Sequence, residues 1–292
     1  MNSRLILNVF LVIVLAGLGA VAFFKPGKQP QESITRLTKF DPNLVKSIDI
    51  RRSGQDPIRL TRRESGWVLA EAPEKPANGY RVQALLSLLV SPSAAQYSID
   101  KKSLAPYGLD NPAIRIRFDD LELAIGDTDP VYFRRYVLNG KMLHLIEDRI
   151  YHHLGAQPWE LLDLRLLPKG ARIESIRLPS FKFDLQPGGH WQTEAEQPIS
   201  ADEINALVQR WQFIQALEVR PLDRALAREG EILIQLADAP IPIRLQILKT
   251  DDGLLLARND WGIQYHLPIE QKSALTDPRQ PLNPPPTNSL GR

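Results

Sequence analysis

Apolar and polar positions follow three different rhythms along the chain. From Leu5 to Phe24 the sequence LILNVFLVIVLAGLGAVAFF is apolar except for Asn8. Twenty such residues in a helix rise about 30 Å, one hydrocarbon core. Ala20-Val21-Ala22 has the small-x-small form of a signal-peptidase site, but the apolar regions of signal peptides run about 7–15 residues. This run continues into Phe23-Phe24, so an uncleaved transmembrane anchor is expected. Lys25, Lys28, Arg36 and Lys39 follow it, and a count of positive charges would hold the body in the cytoplasm. Against that count, a short basic tail before a long apolar run is the layout of an export signal, and long domains translocate largely regardless of charge. The body is therefore expected outside the cytoplasm.

From about Val45 the rhythm becomes two. Val45, Ile48 and Ile50 alternate with polar residues, Asp56-Pro57 turns into IRLTRR, and Glu64-Ser65-Gly66 turns again into WVLA. This predicts an antiparallel meander. Val82, Leu85, Leu86 and Leu89 then recur at helical spacing behind Asn78-Gly79, which predicts a helix starting there. Further strands are predicted over residues 95–100, 113–118, 121–126, 131–138 and 141–146. Asn139-Gly140 joins the last two as a strong hairpin signal, and a short helix is predicted over 147–154. The phrase LAPYGLDNP, Leu104 to Pro112, predicts a helical turn ended by a left-handed Gly108, with Leu109 folding back on Leu104. Pro112 then forces Asn111 into extended geometry and a strand begins.

The third rhythm is polar and rich in proline: KPGKQPQES from Lys25 to Ser33, and TDPRQPLNPPPTNSLGR from Thr276 to Arg292. The first predicts a stalk and the second a disordered, extended tail.

Much of what lies between occurs twice. VKSIDI (Val45 to Ile50) matches IESIRL (Ile173 to Leu178), Gly66-Trp67 matches His190-Trp191, and VQALLSLL (Val82 to Leu89) matches INALVQRW (Ile204 to Trp211). At an offset of 122 residues, Thr128, Asp129, Gly140, His144 and Leu145 meet Thr250, Asp251, Gly262, His266 and Leu267. A period this long means two domain-sized copies. The expected class is α+β: two tandem copies of an antiparallel sheet with a packed helix, preceded by one transmembrane helix. The boundaries read as tail 1–4, anchor 5–24, stalk 25–38, first unit 39–168, second unit 169–275 and tail 276–292. The 292 residues suit two units of ordinary size, each able to bury a core.

Composition narrows the chemistry. The formal net charge is +2, so no field directs the chain to nucleic acid, and there is no cysteine. That removes disulfides, thiolate metal sites and a cysteine nucleophile. His152-His153 beside Glu147 and Asp148 has no compact metal-site spacing. His144 and His266 recur mid-strand, which is a signature of fold. No Gly-x-Ser-x-Gly elbow and no phosphate-binding Gly-Lys-Ser/Thr loop occurs. No catalytic, cofactor or metal residue is therefore assigned. Trp67 and Trp191 open equivalent strands and are expected in the core. Arg51-Arg52, Arg59 and Arg62-Arg63 make a basic hairpin, read as a solvated face with anionic lipid as the alternative.

YGLDNP, the hairpin ending in IGDTDP, the VYFRRYVL strand and PWELLDLRLLP (Pro158 to Pro168) resemble the bacterial domain-of-unknown-function family numbered four-three-four-zero. The resemblance covers Lys46 to about Pro168 and extends more loosely over the second copy. It implies anchoring by one N-terminal helix and a gene neighbourhood shared with an ABC-type transporter linked to gliding motility. It implies no catalytic residue.

Three functions follow as expectations. The first is an extracytoplasmic accessory or scaffold protein of the inner membrane, belonging to a transporter complex and binding a protein partner there. The second is a module for an envelope polymer or lipid, and the third an enzyme with a site of unrecognised form. Interfaces draw their energy from a few exposed aromatic and arginine residues. Trp261, Tyr132 and Arg134, read as lying on or beside equivalent hairpins of the two copies, are the expected contacts.

Overall fold

The computed structural model describes residues 10, 14–15, 35–99, 104–149, 151–194, 197–251 and 253–280. Most of the expected anchor lies outside these residues, although Phe10, Val14 and Leu15 are helical and exposed. No helix among the described residues is long and apolar enough to cross a membrane.

Two antiparallel sheets make up the body. The first contains β1 (Thr35–Arg36), β2 (Ser47–Arg52), β3 (Ile58–Arg63), β4 (Gly66–Leu69), β5 (Lys75–Pro76), β6 (Pro92–Ser98), β7 (Ile114–Phe118), β8 (Leu121–Thr128), β9 (Arg134–Asn139) and β10 (Met142–Glu147). The second contains β11 (Ile173–Arg177), β12 (Lys182–Leu185), β13 (Trp191–Thr193), β14 (Glu218–Pro221), β15 (Arg228–Leu236), β16 (Ile243–Leu248), β17 (Leu254–Arg258) and β18 (Ile263–Leu267). The helices are α1 (Gly79–Ser87), α2 (Tyr151–Leu154), α3 (Ala201–Phe213) and α4 (Glu270–Thr276).

The order β6-β10-β9-β8-β7-β2-β3-β4 in the first sheet is repeated as β14-β18-β17-β16-β15-β11-β12-β13 in the second, with β1 and β5 added at the two edges of the first. Helices fall at the same points of the chain in both. The two halves are thus tandem copies of one sheet-and-helix unit. Their alignment is not a single offset. His144 faces Val137 across β9, and His266 faces Leu255 across β17. The offset is 122 between β10 and β18 (His144 to His266) but 118 between β9 and β17 (Val137 to Leu255). A longer turn between β17 and β18 absorbs the difference.

Local sequence explains the helices. The Asn78 side chain accepts from the backbone N–H groups of Tyr80 and Arg81, and Val82, Leu85 and Leu86 are buried. In α3, Ser200 and Glu203 cap each other's backbone N–H groups, and Ile204, Leu207, Val208 and Trp211 face inward. Trp211 is the large side chain at the centre of that packing, and its indole donates to the Leu275 carbonyl at 3.1 Å. Trp67 and Trp191, expected in the core, are instead only half-buried at the starts of short strands toward the edges of their sheets. The Arg62 guanidinium lies 5.9 Å from the Trp67 ring.

PWELLDLRLLP is a clip between the units. Leu162 bridges to Ala77 of the first unit, and Arg165 to Gln215 of the second. Asn78 N–H donates to the Leu161 carbonyl at 2.7 Å, and Ala216 N–H to the Leu164 carbonyl at 2.8 Å. Leu161, Leu162, Leu166 and Leu167 are all buried. One contiguous apolar cluster runs from the first sheet through the clip into the second, so the two copies do not keep separate cores.

Both expected flanks are shorter than the residue pattern suggested. Thr35–Arg36 pairs with β6, and Leu37 is buried in the core, so the stalk ends before Thr35. At the other end, the Arg210 guanidinium donates to the Pro278 and Gln280 carbonyls, holding residues 277–280 against α3. The rest of the tail lies outside the described residues. The basic hairpin is engaged within the fold. Arg51 and Arg59 reach Asp49, Arg52 donates to the Gly155 and Ala156 carbonyls, Arg62 to the Asn43 carbonyl, and Arg63 pairs with Glu74.

Candidate functional site

The LAPYGLDNP phrase and the approach to β9 meet at one end of the first sheet. Ala105–Tyr107 forms a short helical turn, Gly108 follows at φ 65° and ψ 27°, and Leu109 N–H donates back to the Leu104 carbonyl at 3.1 Å. Leu109 is buried on Ala124 and Leu143, with Leu104, Tyr107 and Tyr136 around it. The turn is therefore a plug for the face of the sheet opposite the main core. Its fit against β8 depends on two glycines. A Cβ at Gly126 would lie 2.2 Å from the Tyr107 carbonyl oxygen, and one at Gly108 would lie 2.5 Å from the Asp127 carboxylate. The second sheet carries a corresponding plug without that turn: Leu222 and Leu226 pack on Leu248, Leu255 and Ala257.

Beside the plug, residues 129–133 connect β8 to β9. A strand was expected from Val131, but it begins at Arg134. Asp129 explains the difference. Its N–H donates to the Arg134 carbonyl at 2.7 Å and its carbonyl accepts from Phe133 N–H at 3.0 Å. Its carboxylate accepts from Tyr132 N–H at 2.7 Å and from the Tyr136 hydroxyl at 3.2 Å. Asp129 is itself buried. These four bonds close the loop and hold Phe133 at φ 55°, a left-handed conformation that costs a residue with a Cβ about 1–2 kcal/mol. The Tyr136 phenol is held above its ordinary pKa, first by burial and then by the Asp129 carboxylate. Arg135 secures the base of the loop: it donates to the Gly126 carbonyl at 2.9 Å and to Asp148 at 3.1 Å, and its guanidinium lies 3.8 Å from the Tyr151 ring centroid.

What this rigid loop presents is apolar. Val131, Tyr132 and Phe133 are 66%, 69% and 74% exposed, three consecutive large side chains in water. The Arg134 guanidinium stands 5.6 Å from the Tyr132 ring. Two of the three expected contact residues, Tyr132 and Arg134, are thus together. Trp261 is not with them. It lies in the β17–β18 turn of the other sheet, half-buried, with the Arg258 guanidinium 3.4 Å from its ring centroid. The matching turn of the first sheet, between β9 and β10, is at the opposite end of β9 from Arg134. Val131 and Phe133 went unremarked in the sequence because an alternating strand through them would have buried one face.

The arrangement offers contact surface. Among the described residues no three His, Cys, Asp or Glu side chains converge as metal ligands. His144 is buried, bonds Ser93 on β6 at 3.0 Å, and has its pKa lowered by burial. His266 bonds Glu218 on β14 at 3.0 Å. The recurrent histidines therefore tie corresponding strands together. The His152 and His153 rings on α2 lie with centroids 3.8 Å apart, tilted at 42°, and the pKa of His153 is lowered by burial and then by His152 and Arg81.

No curated protein and no solved structure matches the chain. The model of one family, described as a domain of unknown function (DUF4340), matches residues 67–227. That span begins in β4, takes in the plug, the exposed loop and the clip, and ends just before β15. It covers more than half of the 292 residues, and the chain belongs to this family, DUF4340.

Proposed function

We propose that the protein is a membrane-anchored, extracytoplasmic accessory subunit that works by surface contact and catalyses no reaction. The transporter it serves is the ABC-type system to which the family resemblance points. The observation that carries this reading is the sequence order: one apolar run of bilayer length, a short polar linker, then a continuous body that begins at Thr35. Anchoring confines such a body to the membrane surface and raises its effective concentration near other membrane proteins. Two units welded by a buried clip make a rigid spacer, which suits holding a neighbour in place. The test is purification of the tagged full-length chain from native membranes in mild detergent. A defined integral membrane protein recovered in near-stoichiometric amount is expected. Recovery of the chain alone, together with turnover of an envelope substrate, would reject the accessory role in favour of an enzyme.

A second reading, a module that binds lipid, is favoured by the exposed Val131–Phe133 loop. The two readings are compatible if the body touches lipid at one place and protein at another.

A further inference from the structure

We infer that the Val131-Tyr132-Phe133 loop is a membrane-contacting tip that dips into the headgroup layer of the bilayer carrying the N-terminal anchor. The inference rests on the anchored reading above and names the partner of this one surface.

Strand register supplies the first argument. Thr35 pairs with Ser93, Ser93 with Ile146, and Ile146 with Arg135. Thr35 and Arg135 therefore share one row of the sheet, three strand spacings or about 14 Å apart. The tip lies just beyond that row, past Arg134. Ten residues, 25 to 34, separate Phe24 from Thr35, and ten extended residues reach at most about 35 Å. That reach is long enough for the tip to meet the bilayer that carries the anchor.

Composition is the second argument. A valine, two aromatics and an adjoining arginine suit the interface between water and hydrocarbon, where amphipathic rings and basic side chains settle. Arg36 is exposed at the same end of the sheet, in the row of Arg134. Anionic headgroups would meet these cations.

The duplication provides an internal comparison. In the second sheet the corresponding connection, residues 249–253, reads Lys-Thr-Asp-Asp-Gly, without one apolar side chain. The fold does not require exposed apolar residues at this connection. They occur only in the unit joined to the anchor, on a loop that Asp129 holds in an exposed conformation.

The absence of cysteine makes the test clean. Full-length protein carrying Tyr132→Cys, labelled with an environment-sensitive fluorophore, is reconstituted into phosphatidylglycerol–phosphatidylethanolamine vesicles containing headgroup spin-labelled lipid. Lys141→Cys, exposed at the far end of β9, serves as reference, and Val131→Cys repeats the measurement beside Tyr132. Several-fold stronger quenching at 132 and 131 than at 141 is expected. Vesicle flotation of the same samples reads the anchor independently. Protein that floats but shows equal or no quenching at 132 would overturn the tip while leaving the anchor standing. Protein that fails to float would overturn both. A label at 132 that cross-links to a protein in native membranes but is unquenched in lipid vesicles would assign the loop to a protein partner and reject lipid.

Discussion

Gly108 and Gly126 face each other across the same contact, yet they resist substitution for different reasons. Gly108 needs its left-handed backbone, and the atom a methyl group would strike belongs to the exposed, movable Asp127 side chain. Gly108→Ala should cost about 1–2 kcal/mol, the left-handed strain alone. At Gly126 the obstacle is the Tyr107 backbone carbonyl and the buried Leu109, neither of which can swing aside. Gly126→Ala should therefore be the more damaging change, visible as the larger fall in the urea midpoint; the reverse ranking would show the plug to be loose. Phe133 predicts the opposite sign. Phe133→Gly removes left-handed strain and should raise stability by roughly 0.5–1 kcal/mol net of the glycine's added chain entropy, while weakening lipid contact. His144 and His153 give a pH dependence. Burial lowers both pKa values in the folded state, so the unfolded chain binds more protons and stability must rise with pH toward the ordinary histidine value near 6.5. Melting temperatures at pH 5 and pH 7 should differ less in His144→Asn than in the parent. The Gly108 turn was legible because it is built from neighbours in sequence. The Phe133 conformation was not, because it depends on Asp129 reaching Tyr136 across the start of β9.

At the scale of elements, most of the repeat could be read from the order of its features, because alternation and helical spacing are local signals. Offsets were less legible. Matching Thr128 with Thr250 follows sequence identity, whereas strand register aligns Val137 with Leu255 at a different offset. Turn length absorbs the slip, and turns carry no periodicity. The second plug escaped notice for a related reason. Leu222 and Leu226 do the covering that Leu109 does in the first unit, but without a Tyr-Gly-Leu-Asp-Asn-Pro signature. The clip appeared in the sequence only as one of the phrases that carry the family resemblance, and its role follows from its bonds to both units. Leu161 is fully buried in it. Leu161→Ala should cost about 2–5 kcal/mol, and it should weaken both units together because the apolar cluster is continuous through the clip. Far-ultraviolet circular dichroism and tryptophan fluorescence should report one shared midpoint in guanidinium. Two separated transitions would mean that the units fold independently and the clip is only a tether.

For the whole molecule, the proposed role is that of a rigid double body held by one membrane span. The family match straddles the clip and leaves out the first two strands of the first unit's meander and the last four strands of the second unit. Its span thus centres on the junction and the exposed loop. The proposed role requires the body to stand outside the cytoplasm, anchored by its first residues, with the β9 end toward the bilayer. The most direct measurement is protease treatment of intact spheroplasts containing the full-length chain with an N-terminal tag. The account predicts that the body is digested without lysis and that a tagged fragment little longer than the apolar run stays with the membrane. Full protection until the cells are lysed, or a mature chain that lacks its first 22 residues and leaves the membrane on washing, would contradict it.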